Sequence, residues 1–229
     1  MEVILGTANF GKEYGHRSKL VSQREIHKIL MKAYNLGITK IETAFDYNCL
    51  EQLGELGRNF ELIFKCDTLQ EAESVRDWRG KVTLMKHHRP YKEMGKYSSA
   101  WKHWSIYDAS DIPKFMDWKP ESIEVPFNIV DQRFRRGSNL IREHYEGGGS
   151  SNPRSYARSV FIQGLAFSMP DFHGIPFYHL CWNFVRNNPN IDGIVVGVDS
   201  AEQLEDIMNI PQYEIDYSKI GKEGWFKCL

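Results

Sequence analysis

The chain of 229 residues is 41% hydrophobic and 13% aromatic, enough apolar material for one sizeable α/β domain. Its 29 basic and 30 acidic residues leave a net charge of -1, which offers no footprint for nucleic acid or an acidic membrane surface. Cys49, Cys66, Cys181 and Cys228 show neither CxxC pairing nor disulfide-framework spacing, and no long apolar run is present, so the expectation is a cytoplasmic protein with reduced thiols and no signal peptide or membrane span.

Val3 to Thr7 reads as a strand, followed by a loop rich in glycine and tyrosine. Ser22 caps the next helix and Glu25, three residues on, completes a capping box. Ile26, Ile29, Leu30, Ala33 and Leu36 follow at helical spacing, and Gly37 stops the helix. A β-branched strand over 38–44 comes next, then a short helix over 50–56, a strand over 61–66 and a helix over 69–78. A strand over 82–87 ends in His87 and His88. Residues 91–100 are weakly helical. A strand over 102–107 leads to Asp108 as a cap for a helix over 110–117, and a strand over 121–125 runs into Pro126-Phe127-Asn128. A helix from Asp131 to about Tyr145 breaks at Gly147-Gly148-Gly149. The last units are a strand over 158–163, a helix over 176–187, a strand over 191–196 and a helix over 200–208.

Eight β segments, each followed by a helix or helical turn, imply a parallel sheet, and eight units imply closure into a (β/α)8 TIM barrel. A doubly wound open sheet is the rival architecture. Nothing in composition marks a linker, so residues 1–229 read as a single domain with trimmed outer helices. The triglycine lacks both the GK[ST] ending of a P-loop and the GxGxxG order of a dinucleotide turn, and it reads as a loop.

Glu42, Tyr47, Lys65 and a histidine stand at the trailing ends of three successive strands, which a parallel barrel gathers at one mouth. A lysine turned inward among apolar neighbours needs an acid such as Glu42 to keep its charge. The lysine cation and a histidine hydrogen bond lower the effective pKa of a tyrosine, whose hydroxyl can then protonate a carbonyl oxygen. A hydride would have to come from a cofactor such as a nicotinamide nucleotide. The histidine spacing does not suit a metal, and none is expected.

Several segments in order resemble motifs of the aldo-keto reductase superfamily. Leu5-Gly6-Thr7-Ala8-Asn9-Phe10-Gly11 is similar to its first-strand LGTAxFG. The stretch from Gly37 to Tyr47 resembles GxxxIDTAxxYG, and His88-Arg89-Pro90 resembles HxP. Trp104-Ser105-Ile106-Tyr107 is similar to GVSxY, and Glu124 to Asn128 to QxPYN. Arg158 to Leu165 resembles the RSxFLQGL of a bacterial branch associated with sugar and lipopolysaccharide biosynthesis, and Gly197 to Leu204 resembles GVDSxEQL.

The resemblance implies an NAD(P)H-dependent reduction of an aldehyde or ketone, sugar-like substrates included, with Tyr47 as proton donor. Lys65 and His88 would tune it, Glu42 would stand in place of an aspartate, and His87 is the reserve for His88. Cofactor contacts would come from Thr7, from Ser105 and Glu124 at the carboxamide, from Phe161 stacked on the nicotinamide ring, and from Gly197, Ser200 and Gln203 at the adenosine-phosphate end. The departures are Glu42 for aspartate, Glu124 for glutamine, Asn48 where glycine is usual after the tyrosine, and Asp199 where a cation would meet a 2′-phosphate. Asp199 favours NADH, or weak binding. Two alternatives stay open: a cofactor-free barrel acting in binding or regulation, and acid/base chemistry such as sugar isomerisation by Glu42, Lys65 and His88. The partner expected is a small-molecule carbonyl substrate, and no motif bears on oligomeric state.

Overall fold

The computed structural model describes residues 1–16, 20–87, 101–112, 119–134 and 153–217. Eight strands, β1 (Glu2–Gly6), β2 (Lys40–Ala44), β3 (Glu61–Cys66), β4 (Val82–His87), β5 (His103–Ser105), β6 (Ser122–Pro126), β7 (Arg154–Arg158) and β8 (Gly193–Gly197), close into a barrel in sequence order. Every neighbouring pair is parallel, and the ring closes through β1 and β8, in register from Glu2–Gly193 to Gly6–Gly197. This is the expected (β/α)8 barrel; the doubly wound alternative is excluded by closure.

Side chains on each strand alternate between two cores. Leu5, Ile41, Leu62, Phe64, Trp104, Ile123, Ala157, Ile194 and Val196 face outward into the larger core beneath the helices. Ile4, Ile63, Met85, Tyr156 and Val195 form a separate plug inside the barrel. Gly193 is a packing requirement of that plug, since a Cβ there would stand 2.8 Å from the Tyr156 ring.

The outer ring is short, as expected. Helix α1 (Gln23–Asn35) buries Ile26, Ile29, Leu30 and Ala33 on one face, with the Ser22 side chain accepting from Glu25 N at its start. The Glu25 carboxylate accepts from Ala201 N at 3.0 Å, at the start of α5 (Ala201–Met208), so this acid joins the first and last helices. Helix α2 (Leu50–Gly57) kinks at Gly54. Helix α3 covers only Leu69–Ala72 before a 3₁₀ turn over Glu73–Val75, much less than the helix expected over 69–78. Helix α4 (Phe177–Arg186) is buried almost throughout. Asp108 caps a 3₁₀ turn over Ala109–Asp111. The helix expected over 91–100, and most of those over 110–117 and 131–145, lie outside the described residues. Among the described residues no helix is long and apolar enough to cross a membrane.

One strand is misplaced by the sequence pattern. The apolar run Val160-Phe161-Ile162 suggests a strand over 158–163, but β7 spans Arg154–Arg158 and the run that follows is a turn leading into a 3₁₀ segment over Ile162–Ser168. Ser159, Ile162 and Gln163 adopt positive φ, which no strand contains. The apolar side chains are explained by packing in that turn: Phe161 lies 4.9 Å from Phe167 and stacks on Trp182 at 6.2 Å, ring centre to ring centre.

Candidate active site

The C-terminal ends of the strands open on a cavity of about 730 Å³ whose lining includes Glu42, Tyr47, Lys65, His87 and Arg158. Glu42 and Lys65 reach it because β2 and β3 turn alternate residues inward: Ile41 and Phe64 point to the outer core, Glu42 and Lys65 to the lumen. Lys65 is 1% exposed, and its ammonium pairs with Glu42 and, at 3.1 Å, with Glu124 Oε1. The same Glu124 oxygen accepts from Ser105 Oγ at 3.2 Å and lies 3.3 Å from Arg158 Nε.

Tyr47 is delivered by the 3₁₀ turn Phe45–Tyr47 directly after β2. Asn48 closes that turn in the left-handed region at φ 53, which asparagine tolerates better than most residues; this accounts for its standing where glycine is usual. Gly11 is needed opposite, since a Cβ there would stand 2.3 Å from the Tyr47 carbonyl oxygen. Thr7 Oγ1 donates to the Glu42 carbonyl at 3.0 Å, and the Cys49 sulfur sits between Thr7 and Thr43, tying the end of β1 to the strand that carries the acid. The Tyr47 ring has Lys65 Nζ at 5.2 Å and Lys12 Nζ at 4.9 Å from its centre.

On β4, Met85 belongs to the lumen plug, so His87, two residues on, also faces inward; it is 7% exposed and lines the cavity. Lys86 points outward, donating to the Asp67 carbonyl and lying over the Trp101 ring. With Lys86 outward, strand parity turns His87, the reserve for His88, toward the lumen. His88 lies outside the described residues.

Electrostatics depart from the simple expectation at Tyr47. Burial raises the tyrosine pKa, Glu42 adds to the rise, and Lys65 opposes it without prevailing, so the hydroxyl holds its proton more tightly than a free tyrosine. Burial is the largest effect, and the lysine charge that opposes it is shared between two carboxylates. Burial would discharge Lys65, but Glu124 and Glu42 outweigh it and hold the ammonium well above its ordinary range. Burial would also raise Glu124; Lys65 and Arg158 reverse that and bring it below the usual carboxylate range. Glu42 ends on the other side: burial lifts it to about 7, against the pull of Lys65 and with added repulsion from Glu124.

Many solved structures share this architecture. PA4992 of Pseudomonas aeruginosa, described as an aldo-keto reductase, matches with a TM-score of 0.68 at 17% identity, over 91% of this chain and 87% of its own. The aldo-keto reductase AKR11C1 of Bacillus halodurans in its holo form matches with a TM-score of 0.70 at 15% identity, over 93% and 88%. The chain shares the (β/α)8 barrel fold of these two proteins. The glycerol dehydrogenase AKR11B4 of Gluconobacter oxydans gives a TM-score of 0.67 at 14% identity, over 96% and 89%. No family model and no curated protein matches the sequence.

Within this barrel, the positions expected to meet a cofactor divide into two groups. Gly197, Phe161 and Gln203 line the cavity. Thr7, Ser105 and Glu124 are wholly buried, engaged with the Glu42 carbonyl, with one another and with Lys65. Ser200 caps α5 by accepting from Gln203 N, and Gln203 Oε1 accepts from Asp199 N at 2.7 Å. Asp199, also lining the cavity, accepts from Asn9 Nδ2 at 2.9 Å. Because β7 ends five residues earlier than the apolar pattern suggests, its inward terminal residue is Arg158, and Phe161 belongs to the loop beyond. Arg158 is the site residue the sequence reading missed. Its signal was the alternation Arg154, Tyr156, Arg158 after Pro153, a short strand with its even-numbered residues inward.

Proposed function

We propose that the protein reduces an aldehyde or ketone to an alcohol, with a reduced nicotinamide nucleotide as hydride source and Tyr47 as proton donor. The observation that carries this reading is the gathering of Tyr47, Lys65, Glu42 and His87 around one cavity at the barrel's C-terminal mouth. The residues present fit a nucleotide without a 2′-phosphate. Phe161, Gly197 and Gln203 line the cavity and would meet the nucleotide, and the buried acceptor Glu124 Oε2 has no hydrogen-bond partner among the described residues. At the other end of the cavity Asp199 would accept from ribose hydroxyls and repel a phosphate. When bound, the nucleotide supplies the hydride.

The chain's own residues handle the proton. Tyr47, with its pKa raised, stays protonated until an adjacent oxygen becomes strongly basic, so its proton moves late, toward a developing alkoxide. Lys65 then stabilises the phenolate left behind. It does so best while Glu42 is protonated and less of the lysine charge is neutralised. The groups around Glu42 are Lys65, Glu124, Arg158, Tyr47, Tyr14 and Cys49, with His87 lining the same cavity. Turnover should therefore fall as pH rises through about 7, and Glu42→Gln should remove that fall. His87, inward and beside the tyrosine turn, is positioned to orient the carbonyl oxygen.

The six tryptophans provide a direct test of cofactor use. Titration with NADH should quench or transfer their emission at lower concentrations than NADPH requires. No change with either nucleotide up to millimolar concentration would remove the hydride donor from this reading.

A further inference from the structure

We propose that Arg158 is a specificity residue that binds a carboxylate carried by the carbonyl substrate, close to the carbon being reduced. The residue closes β7 in an inward register, two positions beyond Tyr156 of the lumen plug. Its guanidinium lies over the Tyr107 ring at 4.1 Å, which fixes the plane, and its Nε edge faces Glu124 Oε1 at 3.3 Å. Nε and Nη2 are buried, and no nitrogen of the guanidinium makes a hydrogen bond to any described residue. The side chain is 15% exposed and that exposure is to the cavity. A guanidinium held on one edge by an acid and stacked on an aromatic, with donors left over, is arranged to take an anion.

Position sets the kind of anion. Arg158 Nε and Lys65 Nζ approach the same oxygen of Glu124, so the guanidinium sits beside the lysine that serves Tyr47. A negative group bound there lies at the proton-transfer end of the cavity, only a few bonds from a carbonyl facing Tyr47. The matching class is a short oxo acid, with the carboxylate adjacent to the carbonyl or nearly so. Charge agrees with this. Lys65 and Arg158 face Glu124, which stays ionised, and Glu42, which holds a proton up to about neutrality, so the cluster has room for one more negative charge.

The inference rests on the carbonyl-reduction reading only for which end of the ligand reacts, and binding can be measured apart from turnover. Pyruvate and acetone differ only in a carboxylate against a methyl group, and oxamate is a non-reducible analogue of pyruvate. Tryptophan fluorescence and calorimetry, with and without NADH, should show pyruvate and oxamate binding about ten- to a hundredfold more tightly than acetone, the scale of one charge-assisted hydrogen bond. Arg158→Leu should erase the difference, and Arg158→Lys should keep part of it. Because Arg158→Leu strands a buried acid, the paired variant Arg158→Leu with Glu124→Gln, checked by circular dichroism, guards against a folding failure. Affinity for oxamate should also weaken as pH rises through about 7, and Glu42→Gln should flatten that profile; the groups facing Glu42 from neighbouring elements are Lys65, Glu124, Arg158, Tyr47, Tyr14 and Cys49, and His87 lines the same cavity. Equal binding of pyruvate and acetone overturns the proposal. So does a preference that survives Arg158→Leu, or no carboxylate binding up to tens of millimolar. If oxamate binds through Arg158 and no hydride transfer is seen, the reaction is at fault and the anion site stands.

Discussion

At the N-terminal end of the barrel Glu2 pairs with Lys40 at 2.7 Å and with Arg154 at 3.1 Å, and Lys40 lies 3.9 Å from Glu61. At the C-terminal end Lys65 pairs with Glu42 and with Glu124, and Glu124 meets Arg158. The composition is the same, two acids and two cations from four strands. The surroundings are not. Side-chain exposure at the lower cluster is 18% for Lys40, 23% for Glu2, 44% for Glu61 and 51% for Arg154, against 2% for Lys65 and 0% for Glu124 above. Water screens the lower pairs, so they contribute little beyond register. Above, the charges are largely withdrawn from solvent and each group's ionisation depends on the others.

The largest test of that contrast is removal of the central lysine. Lys65→Met leaves Glu42 and Glu124 buried without their shared cation and should destabilise the fold by roughly 3–5 kcal/mol in urea titration. A loss under about 1 kcal/mol would mean that water enters the cluster freely. Next comes the pH slope of stability. Glu42 has a folded pKa above its ordinary 4.5, so its contribution is full below that value and is lost as pH rises through about 7. Glu124 is depressed, so its contribution is present above 4.5 and lost as pH falls. Glu42→Gln should therefore flatten the decline between pH 4.5 and about 7, amounting to a few kcal/mol, while leaving the acid limb from Glu124 in place. An unchanged slope would show that Glu42 ionises normally in the folded state. The smallest effect belongs to the lower end: Lys40→Met should cost no more than about 1 kcal/mol, and a larger loss would erase the distinction between the two clusters.

Much of the barrel was legible because alternation and helix caps are local signals. The bounds of β3 and β4 match the sequence pattern, and Ser22 caps its helix as its position suggests. Glu42, Tyr47 and Lys65 could be found because each sits at or just beyond the end of a recognisable strand. Three features were not local. Val160-Phe161-Ile162 has strand composition but packs as a turn against Phe167 and Trp182, contacts that arise only once the helices are in place. That shift hid Arg158. The choice between His87 and His88 depended on where Lys86 finds its outward partners, the Asp67 carbonyl and the Trp101 ring. The Tyr47 pKa depends first on burial and then on Glu42, Lys65 and Glu124 from β2, β3 and β6, and a pairwise reading of one lysine beside one tyrosine gets its direction wrong.

The central claim is that the buried upper cluster is a proton-delivery site for carbonyl reduction. Its most direct test is NADH oxidation across a panel of aldehydes, ketones and short oxo acids, comparing the wild-type chain with Tyr47→Phe. The account predicts turnover by the wild type and a loss of roughly 10²- to 10⁴-fold in the variant, with NADH affinity retained. Equal rates in the two proteins, or no oxidation of either nucleotide by the wild type across the panel, would contradict it.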